Sequence, residues 1–165
     1  MKPLISAIVV DNMLNRLALE IVERNRGTEN LVLFGIWERG AKLAERIVAH
    51  INNLEGTQLE VAKLDVNPFR DEPLPASVLS DAVSISGKNI VLIDDVLFSG
   101  RTIFAALQAI RQFGQPISVQ LAVLIDRGHR TYPIHSDYCG RYIPTKHKES
   151  ILVDESQDWA VFLEE

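Results

Sequence analysis

Between residues 89 and 113 an apolar run passes directly into a polar, glycine-bearing string and then into a helical pattern, an order that leaves few folds open. Asn89 to Ile93 reads as a buried strand, its run from Ile90 onward apolar as in a parallel sheet covered on both faces. Thr102 to Phe113 sets Ile103, Ala106, Leu107 and Ile110 at helical spacing, and Gly114 and Pro116 stop it. Val119 to Ile125 is a second apolar strand. The same alternation stands upstream. Leu14, Leu17, Ala18, Ile21 and Val22 mark a helix that Asn25 to Gly27 ends. Leu31 to Ile36 is another covered strand, Arg39 to Leu54 a helix with Leu43, Ala44, Ile47, Val48 and Ile51 inward, and Leu59 to Val66 an alternating strand. Strands alternating with helices predict an α/β fold, a central mostly parallel sheet flanked by helices. At 165 residues the chain fits one domain, residues 1–165.

The remainder is less regular. Pro68, Pro73, Pro75 and Gly87 make Asn67 to Lys88 the longest loop. The chain after Arg127 reads as turn-rich, with short strands near Ile151 to Val153 and Trp159 to Leu163. The N-terminal stretch Leu4 to Val10 reads as a strand or lead-in, because Asp11 interrupts it too early for a secretory signal. No apolar run nears the roughly 20 residues of a membrane helix. The lone Cys139 excludes an internal disulfide and fits a reducing compartment, so the cytoplasm is the expected location and no membrane partner is expected. His50, His129, His135 and His147 are scattered without zinc-ligand spacing. A net charge of -5 argues against a surface coated for nucleic-acid backbones.

The string Asp94-Asp95-Val96-Leu97-Phe98-Ser99-Gly100-Arg101-Thr102 joins a strand to a helix, and in open parallel sheets ligands bind at the carboxyl ends of strands. Amides at a helix N-terminus point at an anion and the helix dipole favours it. Gly100 lets the backbone come close, while Ser99 and Thr102 add hydroxyl donors. Asp94 and Asp95 are acceptors one loop-width away, where vicinal ribose hydroxyls would lie, and they suit a magnesium ion as well. Taken singly, an Asp pair is more often a turn, and a Ser or Thr more often a helix cap. The whole string in this setting points instead to a phosphorylated ribose. Neither G-x-x-x-x-G-K-[ST] nor G-x-G-x-x-G occurs, which sets aside the Walker loop and the dinucleotide fingerprint.

The string resembles the 5-phosphoribosyl-1-pyrophosphate (PRPP) motif of type I phosphoribosyltransferases. More narrowly, it is similar to the form found in the pyrimidine operon attenuation regulators that are also uracil phosphoribosyltransferases. Phe34-Gly35-Ile36-Trp37-Glu38-Arg39-Gly40 is similar to that family's pyrophosphate loop. Leu64-Asp65-Val66 with Phe69-Arg70-Asp71 resembles its entry to a flexible loop, here shorter and without a Lys-rich insertion. Leu124 to Arg130 with Pro133-Ile134 and Asp137-Tyr138 resembles its base-binding region, although His135 stands where Arg is usual. Ile143-Pro144-Thr145 resembles the stretch after it.

The resemblance implies a type I fold with a small hood and a glycosyltransferase that moves the 5-phosphoribosyl group of PRPP to uracil, giving UMP and pyrophosphate with Mg2+. By it, Glu38, Arg39 and Gly40 hold pyrophosphate, and Asp94 and Asp95 hold ribose hydroxyls and metal. Val96, Leu97, Phe98, Ser99, Gly100, Arg101 and Thr102 hold the 5'-phosphate, and Ile125, Asp126 and Arg127 meet the base. Asp94, Asp95 and Arg39 are the candidate catalytic residues. Purine-salvage relatives carry at position 98 an Asp that bonds purine N7; Phe98 cannot. The alternatives are a nucleotide-sensing RNA-binding regulator of pyrimidine genes with little catalysis, or a phosphoribosyltransferase for another base. A homodimer or larger assembly is the expected state.

Overall fold

The computed structural model describes residues 2–66 and 83–165, together with the backbone of the short strand at 77–78. The Phe69-Arg70-Asp71 motif and most of the loop predicted over Asn67 to Lys88 lie outside the described residues.

Helix α1 (Ala7–Asn25) buries Val10, Met13, Leu14, Leu17, Ala18 and Ile21, one face at three- and four-residue spacing. Its C-terminus turns over at Arg26 in the left-handed region, and the amides of Arg26 and Gly27 return to the carbonyls of Glu23 and Val22. Strand β1 (Leu31–Ile36) leads into α2 (Arg39–Glu55) and then β2 (Val61–Asp65). The two-residue β3 (Ser77–Val78) runs antiparallel to β2. Strand β4 (Asn89–Leu97) feeds α3 (Arg101–Ile110), which is followed by β5 (Ser118–Asp126) and β6 (Tyr138–Tyr142).

The sheet order is β3-β2-β1-β4-β5-β6, and every pairing except β2 with β3 is parallel. Each strand sends alternate residues to opposite faces. Leu33, Val91, Ile93, Ala122 and Leu124 pack with α1 and α2, while Phe34, Leu92, Leu121 and Val123 pack with α3. A separate antiparallel hairpin, β7 (Ser150–Asp154) and β8 (Ala160–Glu164), forms the small hood, and Ile5 bridges to its Val161.

Four expectations need correction. Strand β4 does not end before the two carboxylates: it runs through them to Leu97, pairing Val96 with Ile125 and Leu97 with Asp126. The stretch Leu4 to Val10 is not a strand, because α1 begins at Ala7 and only Ile5 makes a bridge. The third helix starts at Arg101 and closes at Ile110, short of Phe113. The region after Arg127 contains β6, a full parallel strand on the sheet edge.

Candidate active site

Neighbouring parallel strands β1 and β4 point the same way: β1 stops at Ile36, just past the pairing of Gly35 with Ile93, β4 runs on to Leu97, and each segment then turns into a helix. The crevice between them is lined by Ile36, Trp37, Glu38, Arg39, Val66, Asp94, Asp95, Val96 and Thr102 and measures about 230 Å³. A second hollow of about 110 Å³ shares Asp94, Val96 and Thr102 with it and continues over Leu97, Phe98, Ser99, Gly100, Arg101 and Ile103. The residues expected to hold pyrophosphate and those expected to hold a sugar phosphate therefore form two walls of one cleft.

The closeness of the walls depends on Gly40. A Cβ there would stand 2.4 Å from the carbonyl oxygen of Ile93 and 3.3 Å from Asp94 Oδ1. The start of α2 thus touches β4 where the carboxylates begin. Asp94 Oδ1 accepts from the amide of Asp95 (2.9 Å), and Asp95 Oδ1 accepts from the amide of Val96 (2.8 Å). Asp95 Oδ2 accepts from Arg39 Nε at 2.7 Å. The same guanidinium donates to the carbonyl of Val153 on β7 and lies 6.0 Å from the Trp159 ring centre. Arg39 therefore joins the β1 loop, the β4 carboxylates and the hood.

Asp94 keeps some surface on the cleft, but its carboxyl is largely surrounded by protein. That desolvation, reinforced by the neighbouring Asp95 charge, pushes its pKa well above the usual carboxylate range against the smaller pull of Arg39. Among the described residues no cluster of three His, Cys, Asp or Glu side chains forms a metal cage. The paired hard oxygens of Asp94 and Asp95 fit instead a magnesium ion held mainly by phosphates and water, which is how this ion usually binds.

On the phosphate side, Gly100 is the N-cap of α3 with φ 86°, and no side chain caps the helix. The first amides of a helix have no intrahelical partner, so this end is open to an anion apart from Arg101 N, which donates to Ser99 Oγ at 3.2 Å. Phe98 stands 45% exposed, with the Arg127 guanidinium 4.1 Å from its ring centre.

The residues expected to meet a base are more committed than the sequence implied. Ile125 is wholly buried. The Asp126 carboxylate accepts from Gly128 N and from Arg130, and its carbonyl accepts from Ile143 N at 2.8 Å. Arg127 donates its amide to Leu97 O, its Nε to Thr145 Oγ1 and its Nη2 to Glu149 O. Asp126 and Arg127 are thus not a surface ion pair with each other. The exposed group beside them is the Phe98 ring, and next to it the partly buried turn around His129 brings its ring within 4.6 Å of His147 between centres. Two of the four histidines, His129 and His147, come together here.

Val66, Trp37 and Arg130 stand in strings that the sequence marks, but none of them is given a role of its own there. Trp37 forms part of the cleft wall with Lys63 5.6 Å from its ring centre. Nothing local signals the roles of Val153 and Trp159.

A family model described as "Phosphoribosyl transferase domain" matches residues 9–156. The "Bifunctional protein PyrR" of Lactococcus lactis subsp. cremoris (strain SK11) is 45% identical over 157 residues, 94% of this chain and 91% of that protein. The protein of the same name from Chloroflexus aurantiacus is 48% identical over 158 residues, 92% of this chain and 87% of its own length. Among solved structures, the hypoxanthine phosphoribosyltransferase of Trypanosoma cruzi superposes with a TM-score of 0.76 at 16% identity, covering 99% of this chain and 95% of that one. That likeness speaks to the fold. With the cleft, the fold and the sequence likeness in agreement, this chain is a phosphoribosyltransferase-type enzyme and belongs to the phosphoribosyl transferase domain family.

Proposed function

We propose that this chain, acting as a single phosphoribosyltransferase domain, transfers the 5-phosphoribosyl group of PRPP to uracil, releasing UMP and pyrophosphate. The observation that carries the reading is the pair of facing walls: Glu38 and Arg39 after β1 line one hollow, the residues from Val96 to Thr102 line another, and the two meet at Asp94, Val96 and Thr102.

The chemistry asks the protein to stabilise a departing pyrophosphate while positive charge grows on the ribose ring. In this reading the amides of Glu38 to Gly40 and the Arg39 guanidinium receive pyrophosphate. Asp94 and Asp95 hold the ribose hydroxyls, and the amides and hydroxyls from Val96 to Thr102 take the 5'-phosphate. Asp94 and Asp95 would also hold the magnesium ion, which when bound neutralises charge on the leaving group. The Arg39–Asp95 pair keeps a cation and a carboxylate in register across the cleft before any ligand arrives. Phe98 supports a pyrimidine acceptor, because it offers no carboxylate to a purine N7, and its exposed ring supplies a flat apolar surface. The committed polar atoms of Asp126 and Arg127 favour contact with the base through this ring and the turn after Arg127.

The test is direct: incubate the chain with PRPP, Mg2+ and a panel of bases, and follow nucleotide formation. Turnover of uracil alone is the expected result, and turnover of hypoxanthine or guanine in its place would refute the acceptor assignment.

A second reading, in which the nucleotide site informs an RNA-binding regulator, is favoured by the relative from Lactococcus lactis named "Pyrimidine operon regulatory protein". The basic side chains of α1 lend it little, since Arg16 is bound to Glu20 and to carbonyls of Cys139 and Gly140, and Arg24 to Asp137. Salt-sensitive binding of RNA without turnover would decide for it. The cytoplasmic location and the homodimer are part of this proposal. The exposed Ile8 (77%) and Leu19 (49%) on one face of α1 support self-association. Among the described residues no helix is long and apolar enough to cross a membrane.

A further inference from the structure

A loop presents its amides to an anion only if its carbonyls are turned elsewhere and kept there. In the turn at the end of β4, the three successive carbonyls of Leu97, Phe98 and Ser99 are all occupied from one side. Leu97 O accepts from Arg127 N, and Ser99 O accepts from both Thr131 N (2.8 Å) and Tyr132 N (3.0 Å). Phe98 O accepts from Arg130 Nη1 at 3.0 Å, the one side chain in this set. The same guanidinium donates through Nε to Ile134 O (2.8 Å), through Nη1 to Gly128 O (3.4 Å) and through Nη2 to the Asp126 carboxylate. One fork thus binds the phosphate turn, both ends of the 128–134 segment and the end of β5. Its side chain is 20% exposed and that of its partner Asp126 14%, so the charge is shielded and matched. The segment it holds presses directly on the turn: a Cβ on Gly100 would lie 3.0 Å from Ile134 Cγ1 and 3.4 Å from Tyr132 Cβ.

We propose that Arg130 is the positioning residue of the 5'-phosphate turn: it touches no ligand, and it holds the carbonyl face of Leu97 to Ser99 away from the cleft so that the amide face is preset. This rests on the reading of that turn as the phosphate cradle. Arginine is required because its planar fork serves four acceptors at once, whereas a lysine ammonium has three donors at one point. Pyrophosphate, bound on the β1 wall, should not sense the change.

The test uses the full chain with Arg130→Lys and Arg130→Ala, titrated by calorimetry with ribose 5-phosphate and, separately, with inorganic pyrophosphate. Lysine keeps the charge beside Asp126, so that variant carries the test if alanine does not fold. The expected result is a Kd for ribose 5-phosphate raised about tenfold or more, as for loss of charge-assisted hydrogen bonds, with the pyrophosphate Kd within about twofold. In kinetics the KM for PRPP should rise more than kcat falls. Unchanged ribose 5-phosphate affinity, or equal loss for both ligands, overturns the assignment. Hydrogen exchange at the amides of Thr131 and Tyr132 is read without ligand. Faster exchange in Arg130→Lys supports the clamp and unchanged exchange refutes it, even if the wild-type chain binds neither ligand and the functional reading itself falls.

Discussion

Replacing Gly40 by alanine tests how tightly the two walls of the cleft must approach. The added Cβ would sit 2.4 Å from the Ile93 carbonyl oxygen, a backbone atom that cannot rotate aside. An acceptable carbon–oxygen contact is about 3.3 Å, so the start of α2 and β4 must separate by roughly 0.9 Å. Overpacking of this kind costs about 1–3 kcal/mol, or a fall in Tm of about 2–12 °C for a chain this size. The functional loss should be larger, because a misplacement near 1 Å costs about a hundredfold in rate. Gly56→Ala is the control. It sits at the C-cap of α2 with φ 64° and nothing within 4 Å, so it should lose about 1 kcal/mol through backbone strain alone and leave activity intact. UMP formation and pyrophosphate calorimetry, each beside a thermal melt, read the comparison. Gly40→Ala retaining wild-type kcat/KM and pyrophosphate affinity would refute the close-approach argument, as would equal functional loss in Gly56→Ala.

Asp94→Asn should abolish turnover and yet raise Tm at neutral pH. The native state holds the Asp94 proton more tightly than the unfolded chain, so stability falls as pH rises above the unfolded aspartate pKa of about 4. The gain from asparagine should vanish below that pH, and a variant less stable than wild type at pH 7 would contradict the assigned shift. Pyrophosphate should change the tryptophan emission, since Trp37 lines the cleft and Trp159 lies beside Arg39. Trp37→Phe should remove part of the signal, and an unchanged spectrum on saturation would place the anion elsewhere. Gln120→Leu should cost about 1–3 kcal/mol in urea denaturation with kcat preserved, because it removes the acceptor of the buried Tyr138 hydroxyl proton and the donor to Asn25 Oδ1. A neutral effect would mean that the network adds nothing.

The periodic parts of the chain announced themselves. Helices α1 and α2 and strands β1, β4 and β5 bury faces whose spacing is written in the residues, and the phosphate turn joins features each legible on its own. The extension of β4 was hidden because Asp94 and Asp95 look like the end of an apolar run, yet pairing to β5 uses the backbone and tolerates any side chain. Strand β6 reads Tyr-Cys-Gly-Arg-Tyr, with no alternation, and it exists through its register with β5. The exposed Ile8 and Val9 imitate a strand at the start of what is a helix. Within the site, Arg130 lay in a string already noticed, but its bond to the Phe98 carbonyl spans 32 positions and no local pattern reveals it. The Arg39 contact with Val153 spans 114 positions, beyond any local pattern.

Because β1 and β4 are hydrogen-bonded neighbours, the span of the cleft is set by the sheet itself. Adjacent strands lie about 4.8 Å apart, and that interval does not stretch when surrounding loops move. The protein therefore carries a built-in gauge. Loop motion can alter how firmly either end of a ligand is gripped, while the distance from one grip to the other stays constant.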